Sequence, residues 1–106
     1  MFCMYGEAVG VVNFTEIDWH NKRCSWGIYI GKENAPRGSG TQMGRKAIVY
    51  AFQQMNLQKI WVEVLRENTI SLKFHKKIGF WLEGYFKRHI LKNGRYMDVI
   101  RMAYLK

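Results

Sequence analysis

The hydrophobic period changes abruptly between residues 24 and 55. Cys24 to Ile30 is a dense apolar and aromatic run that reads as a strand, and Lys32 to Gly40 is a loop holding the single proline within Pro36-Arg37-Gly38-Ser39-Gly40. Beyond it, Met43, Ala47, Ile48, Ala51, Phe52 and Met55 recur at spacings of four, one, three, one and three, which is one face of a helix ending near Asn56. A strand, a glycine-bearing loop and a helix in that order bring main-chain N–H groups to a point where an anion can be cradled. Small residues at 38–41 would let the backbone approach a pyrophosphate closely, Arg37 adds charge, and Arg45 and Lys46 sit in the first helical turns. On the residues alone, a loop whose two glycines merely cap the helix fits equally well.

The rest of the chain fills in around this unit. Ala8 to Phe14 is a second strand-like run, joined to Cys24–Ile30 by the polar stretch Asp18 to Arg23, so the two read as an antiparallel pair. Lys59 to Leu65, rich in Ile, Trp and Val, reads as a strand with both faces covered. Asn68 or Thr69 can cap a short helix carrying Ile70, Phe74 and Ile78 on one side, and Gly79 ends it. Phe80 to Leu105 holds two apolar and aromatic runs around Lys92-Asn93-Gly94-Arg95, and Asn-Gly between such runs is a strong hairpin signal. The order β-β-α-β-α-β-β predicts one mixed α+β domain over residues 1–106, with a mainly antiparallel sheet.

Composition narrows the setting. No stretch approaches the roughly 20 apolar residues that span a bilayer, and Met1 to Gly10 lacks the layout of a signal peptide, so a soluble cytoplasmic protein without a membrane partner is expected. Cys3 and Cys24 are expected to be reduced packing residues, and no clustered ligands suggest a metal. Seventeen Lys and Arg against eight Asp and Glu give a net charge of +9, which attracts anions. Nucleic acid, an anionic surface or a phosphate-rich small molecule would each satisfy that charge. The aromatics form no recognisable RNA-binding motif and fall mostly in strand interiors, so no nucleic-acid partner is expected.

Asn68-Thr69-Ile70-Ser71-Leu72-Lys73-Phe74-His75-Lys76-Lys77-Ile78-Gly79-Phe80, taken with the Arg37–Gly44 loop, resembles the GNAT superfamily of N-acetyltransferases. The resemblance implies an acetyl-CoA cofactor whose pyrophosphate lies on an Arg/Gln-x-x-Gly-x-Gly/Ala loop, matched by Arg37 and Gly40. Gln42 departs from the expected small residue. Asn68, Ser71, Gly79 and Phe80 match the family's second motif. Cofactor contacts are thus expected at Ile28, Tyr29, Ile30, Arg37, Gly38, Ser39, Gly40, Thr41, Gln42, Asn68 and Ser71. On this resemblance the chain lacks the family's usual first strand and first two helices. The exposed sheet edge of such a truncated form would invite a second copy, and a homodimer is allowed.

Within the superfamily, Ser25–Gly31, Ala35–Thr41 and Asn93–Val99 resemble the 4-amino-sugar N-acetyltransferases of pseudaminic acid biosynthesis, which implies a UDP-linked amino sugar as substrate. Spermidine and ribosomal-protein N-acetyltransferases share the Asn-x-x-Ser helix and a similar final hairpin, and a CoA-binding fragment without catalysis is a further alternative. The basic charge suits a doubly negative UDP-sugar better than a polycation.

The implied reaction is direct transfer from a thioester to a neutral amine. In the family, the strand before the phosphate loop splays from its neighbour, and its backbone pairs with the pantetheine arm; here that strand is Trp26 to Ile30. A tyrosine seven residues after the Asn donates a proton in much of the family; His75 stands in that place and is the candidate proton donor. Tyr96 and Asp98 in the last hairpin are candidates for acceptor contacts. Glu16, Asp18 and His20 read as turn chemistry or as a general base.

Overall fold

A computed structural model of the chain describes residues 10–30 and 39–106. Among the described residues seven elements follow one another: β1 (Gly10–Asp18), β2 (Arg23–Ile30), α1 (Ser39–Gln53), β3 (Lys59–Leu65), α2 (Thr69–Lys77), β4 (Trp81–Lys92) and β5 (Arg95–Leu105). This is the expected order. The strands form one mixed sheet, β1-β2-β3-β5-β4, in which only the β2–β3 pairing is parallel.

Local chemistry sets the element ends. Asp18 closes the β1–β2 turn by accepting the Asn21 amide at 2.9 Å and its side-chain N–H at 2.8 Å. α1 stops where Asn56 takes a left-handed φ of 54° and the Leu57 amide reaches back to the Ala51 carbonyl at 3.0 Å. Asn93 and Gly94, with φ of 51° and 73°, turn β4 into β5 as the Asn-Gly signal predicts.

One core joins both helices to the same face of the sheet. α1 contributes Met43, Ala47, Ile48, Ala51 and Phe52, all buried as their spacing predicts. Val12, Cys24, Trp26, Ile60, Val62, Val64 and Met102 meet them from the strands, with Leu57, Ile78 and Phe80 from the connections. Burying each large apolar side chain is worth roughly 1.5–3 kcal/mol, so this cluster dominates stability.

β3 differs from the expectation of two covered faces. Ile60, Val62 and Val64 are buried, but Trp61 and Leu65 are half-buried and Glu63 is exposed. On that outer face Arg101 lies 4.2 Å from the Trp61 ring and donates to Glu63 through Nε at 3.2 Å. Among the described residues, neither helix covers it.

Candidate active site

The parallel pairing of β2 and β3 is short. It holds for Arg23↔Lys59, Cys24↔Ile60 and Ser25↔Trp61, after which the strands part. From Trp26 to Ile30, β2 is paired to β1 alone, in the register Phe14↔Trp26 to Gly10↔Ile30. β3 continues from Val62 to Leu65 paired to β5 alone. Successive residues of a strand direct their N–H and C=O groups to alternate sides, so every second residue of 26–30 presents its main chain to the opening. An extended polar arm could complete the ladder there.

The amino ends of both helices border this opening. A groove of about 370 Å³ is lined by Ile28, Gly40, Asn68, Ile70, Ser71 and Phe74. It brings together four residues singled out from sequence: Ile28 on β2, Gly40 in the first turn of α1, and Asn68 and Ser71 at the start of α2. The first turn of α1 carries no acidic side chain, and Thr41 is half-buried while Gln42 is exposed. Main-chain N–H groups at such an end suit a phosphate. Of the other expected cofactor contacts, Arg37 and Gly38 lie outside the described residues, and Tyr29, Ile30 and Ser39 are described by their backbone.

Of Ile70, Phe74 and Ile78, expected on one side of α2, Ile70 lines the groove alone, while Phe74 lines the groove and also packs against the core. Ile78 is buried, but Ile70 is 84% exposed and Phe74 only half-buried. Gly44, on α1, is the residue that lets the helices close over this end of the groove: a Cβ there would lie 3.3 Å from Cζ of Phe74 and 3.9 Å from Cδ1 of Ile28. Nothing in the apolar spacing of α1 distinguishes Gly44 from a surface glycine. Its role depends on a contact between distant elements.

Asn68 is the N-cap of α2, its Oδ1 accepting the Ser71 amide at 3.1 Å. Both residues line the groove, and the Ser71 hydroxyl lies 3.3 Å from Nδ1 of His75.

His75 is placed otherwise than a proton donor at the groove would be. The residue is 3% exposed, and its ring packs edge-on against Phe74 and Phe80 at centroid distances of 5.2 and 5.0 Å. The Trp26 indole donates to Nε2 at 3.1 Å, and Nδ1 lies 2.8 Å from the Ser71 carbonyl oxygen. Burial holds its pKa below the ordinary histidine value, although the Ser71 carbonyl pulls the other way. Both nitrogens face protein atoms, so the helical position matched to the family's tyrosine carries a side chain turned into the core. Its place one step off the apolar stripe gave no sign of this.

The final hairpin forms a smaller cavity of about 120 Å³, lined by Arg66, Glu67, Tyr96, Met97 and Asp98. Tyr96 is exposed and can meet a ligand. Asp98 is already engaged: its carboxylate accepts the Tyr85 hydroxyl at 2.6 Å and the Arg88 amide at 2.9 Å. The Tyr85 hydrogen bond, then the Arg88 amide, holds its carboxyl below the usual range. Tyr85 is raised by the same bond. The amide of Arg88, whose φ is 51°, sits in the irregular stretch of β4 between Phe86 and Ile90, so Asp98 fixes the hairpin's shape.

Asp18 closes its turn, and burial pushes the Cys24 thiol up to about 11, leaving no thiolate at neutral pH. Cys3 lies outside the described residues. Among the described residues, no three His, Cys, Asp or Glu side chains could hold a metal ion, and no helix is long and apolar enough to cross a membrane. Of the tryptophans, Trp26 is buried and Trp61 half-buried, whereas Trp19 and Trp81 are exposed.

A mixed sheet opened between two parallel strands, with two helix amino ends on the opening, is the arrangement expected of a GNAT-type acetyltransferase. Residues 3–100 match the family model described as an acetyltransferase (GNAT) domain, and the chain belongs to that family. Members of the family use acetyl-CoA as the acetyl donor. The chain is 33% identical over 98 residues to the spermidine N(1)-acetyltransferase of Escherichia coli K12, covering 92% of this chain and 53% of that protein. It is 27% identical over 106 residues to the L-amino acid N-acetyltransferase AaaT of the same organism, covering 98% and 65%. A point mutant of the spermidine N-acetyltransferase SpeG from Vibrio cholerae superposes with a TM-score of 0.84 at 30% identity, over 93% of this chain and 58% of that one. The chain therefore spans little more than half the length of the spermidine enzymes it matches.

Proposed function

We propose that this chain carries the acyl-donor site of an N-acetyltransferase that passes acetyl directly from acetyl-CoA to a primary amine. The observation that carries this reading is the parting of β2 from β3 after Ser25 and Trp61, beside a groove lined by Ile28, Gly40, Asn68 and Ser71. Trp26 to Ile30 supply main-chain partners for the pantetheine amides, and the first turn of α1 receives the pyrophosphate. An N–H near Ile28–Ile30, directed into the opening, stabilises the oxyanion as the amine adds to the thioester carbonyl. The C–N bond forms, the C–S bond breaks, and the proton lost by the amine reaches the departing thiolate through solvent. No nucleophilic side chain is required.

The acceptor we infer is the 4-amino group of a UDP-linked amino sugar. The net charge of +9 supports a negatively charged acceptor, as do Arg66, Lys87 and Arg88 around the hairpin that bears Tyr96. Glu63, Glu67 and Glu83 are each paired to a cation, Arg101, Arg95 and Lys59 respectively. They leave little negative charge to hold a polycation. The spermidine reading has its own support in the 33% identity to the Escherichia coli enzyme.

The test is release of free CoA thiol from acetyl-CoA with each amine in turn. Turnover with the UDP-4-amino sugar and little with spermidine is expected. Preference for spermidine would overturn the acceptor assignment, and thiol release with neither, together with no acetyl-CoA binding, would overturn the donor site.

A further inference from the structure

Trp26 is the first residue of β2 beyond its last pair with β3. It is 6% exposed, and its indole N–H reaches the equally buried Nε2 of His75 across 49 residues of sequence, at 3.1 Å. An indole N–H only donates and a carbonyl only accepts. Nε2 therefore keeps its lone pair, Nδ1 carries the proton, and the ring is a neutral imidazole donating to the Ser71 carbonyl at 2.8 Å. The Ser71 hydroxyl lies 3.3 Å from the same nitrogen, and the Ser71 amide is held by Asn68.

The bridge thus runs from the parting point of β2 to the first turn of α2. Its ends adjoin the two walls of the groove: Ile28 lies two residues beyond Trp26 on the same strand face, and Asn68 and Ser71 stand opposite. Where β2 and β3 have parted, no ladder hydrogen bond fixes the distance between these walls. Phe74 and Phe80 both pack edge-on against the imidazole and hold it in place as a spacer.

We propose that His75 is a positioning residue of the acyl-donor groove, which sets the separation between the free edge of β2 and the start of α2 and so the fit of the pantetheine arm. The proposal rests on the acyl-donor reading above. His75 does not meet the thioester; it acts through Trp26 and Ser71. A glutamine can reproduce both bonds, accepting through its oxygen and donating through its nitrogen, whereas phenylalanine can make neither.

Calorimetric titration with CoA and with 3′-phospho-ADP, which lacks the pantetheine arm, tests this on the whole chain and on Trp26→Phe, His75→Phe and His75→Gln. Roughly tenfold weaker CoA binding is expected for the two phenylalanine variants, the size of one buried hydrogen bond lost, with 3′-phospho-ADP binding unchanged and His75→Gln within about twofold of the parent. Nitrogen-15 shifts of His75 should report protonated Nδ1 and bare Nε2, with and without CoA. Equal losses for both ligands, or CoA binding unaltered in Trp26→Phe, would overturn the inference while leaving the donor site standing. Failure of the parent to bind CoA would overturn both. Should His75→Phe not fold, Trp26→Phe and His75→Gln carry the same comparison.

Discussion

A Cβ on Gly44 would stand 3.0 Å from Cδ1 of Ile78, so α1 meets the C-cap of α2 at this pair and a side chain there requires Ile78 to give by a few tenths of an ångström. Alanine gains helix propensity there, which offsets part of the crowding. Valine cannot fit without moving Ile78 and Phe74, and overpacking of this kind costs about 1–3 kcal/mol. Gly44→Val is expected to lower the urea midpoint accordingly and to weaken acetyl-CoA binding through the displaced Phe74. A valine variant as stable as the parent would mean that the two helices are not in this contact.

The elements whose signals are local were legible in the sequence. The Asn93–Gly94 turn and the Met43–Phe52 face needed only neighbouring residues to declare themselves. Of the groove's lining, Ile28, Gly40, Asn68 and Ser71 were singled out from sequence, and the family resemblance implied the splay of β2. What was not legible depends on contacts between distant elements. Trp26 to Ile30 reads as a strand whether one neighbour pairs with it or two, and the end of pairing at Ser25 leaves no mark in composition. Ile70 and Phe74 satisfy a core pattern, yet they border the gap that the splay opens. His75 lies off the apolar stripe and is buried because Trp26 and Phe80 close over it from other elements.

Asn68 combines a cap with a groove contact, and two substitutions separate these roles. Asn68→Ala removes the cap and should cost about 1 kcal/mol in urea unfolding. Asn68→Asp keeps the capping oxygen, so its stability should stay near the parent's, while it adds a negative charge to the groove lining. Acetyl-CoA binding is expected to weaken in both, measured by calorimetry. Parent-like affinity in Asn68→Asp would assign the residue to capping alone.

Asp98 gives a pH signature in the hairpin. The Tyr85 hydroxyl and the Arg88 amide depress its carboxyl in the folded state relative to about 3.9 when unfolded. The unfolded chain therefore takes up this proton first on acidification. The contribution is complete above the unfolded value and is lost as pH falls through the lower folded one. Carbon-13 titration should place the Asp98 midpoint below about 3.9, and Tyr85→Phe should move it upward. A midpoint unmoved in that variant would remove Tyr85 as the cause.

His75 predicts acid sensitivity at a higher pH. Burial keeps its folded pKa below the unfolded value of about 6.5, so above that pH both states are neutral and its contribution is fully present. Below it the unfolded chain binds a proton that the folded imidazole, with Nε2 occupied by Trp26, refuses. Stability therefore falls as pH drops towards the folded pKa, by up to about 1.4 kcal/mol per pH unit. Urea unfolding between pH 7.5 and pH 5 should show this decline in the parent, and His75→Gln, which cannot titrate, should flatten it. A decline of equal slope in His75→Gln would assign the acid sensitivity to another group and would leave the neutral Trp26–His75 pair without thermodynamic support.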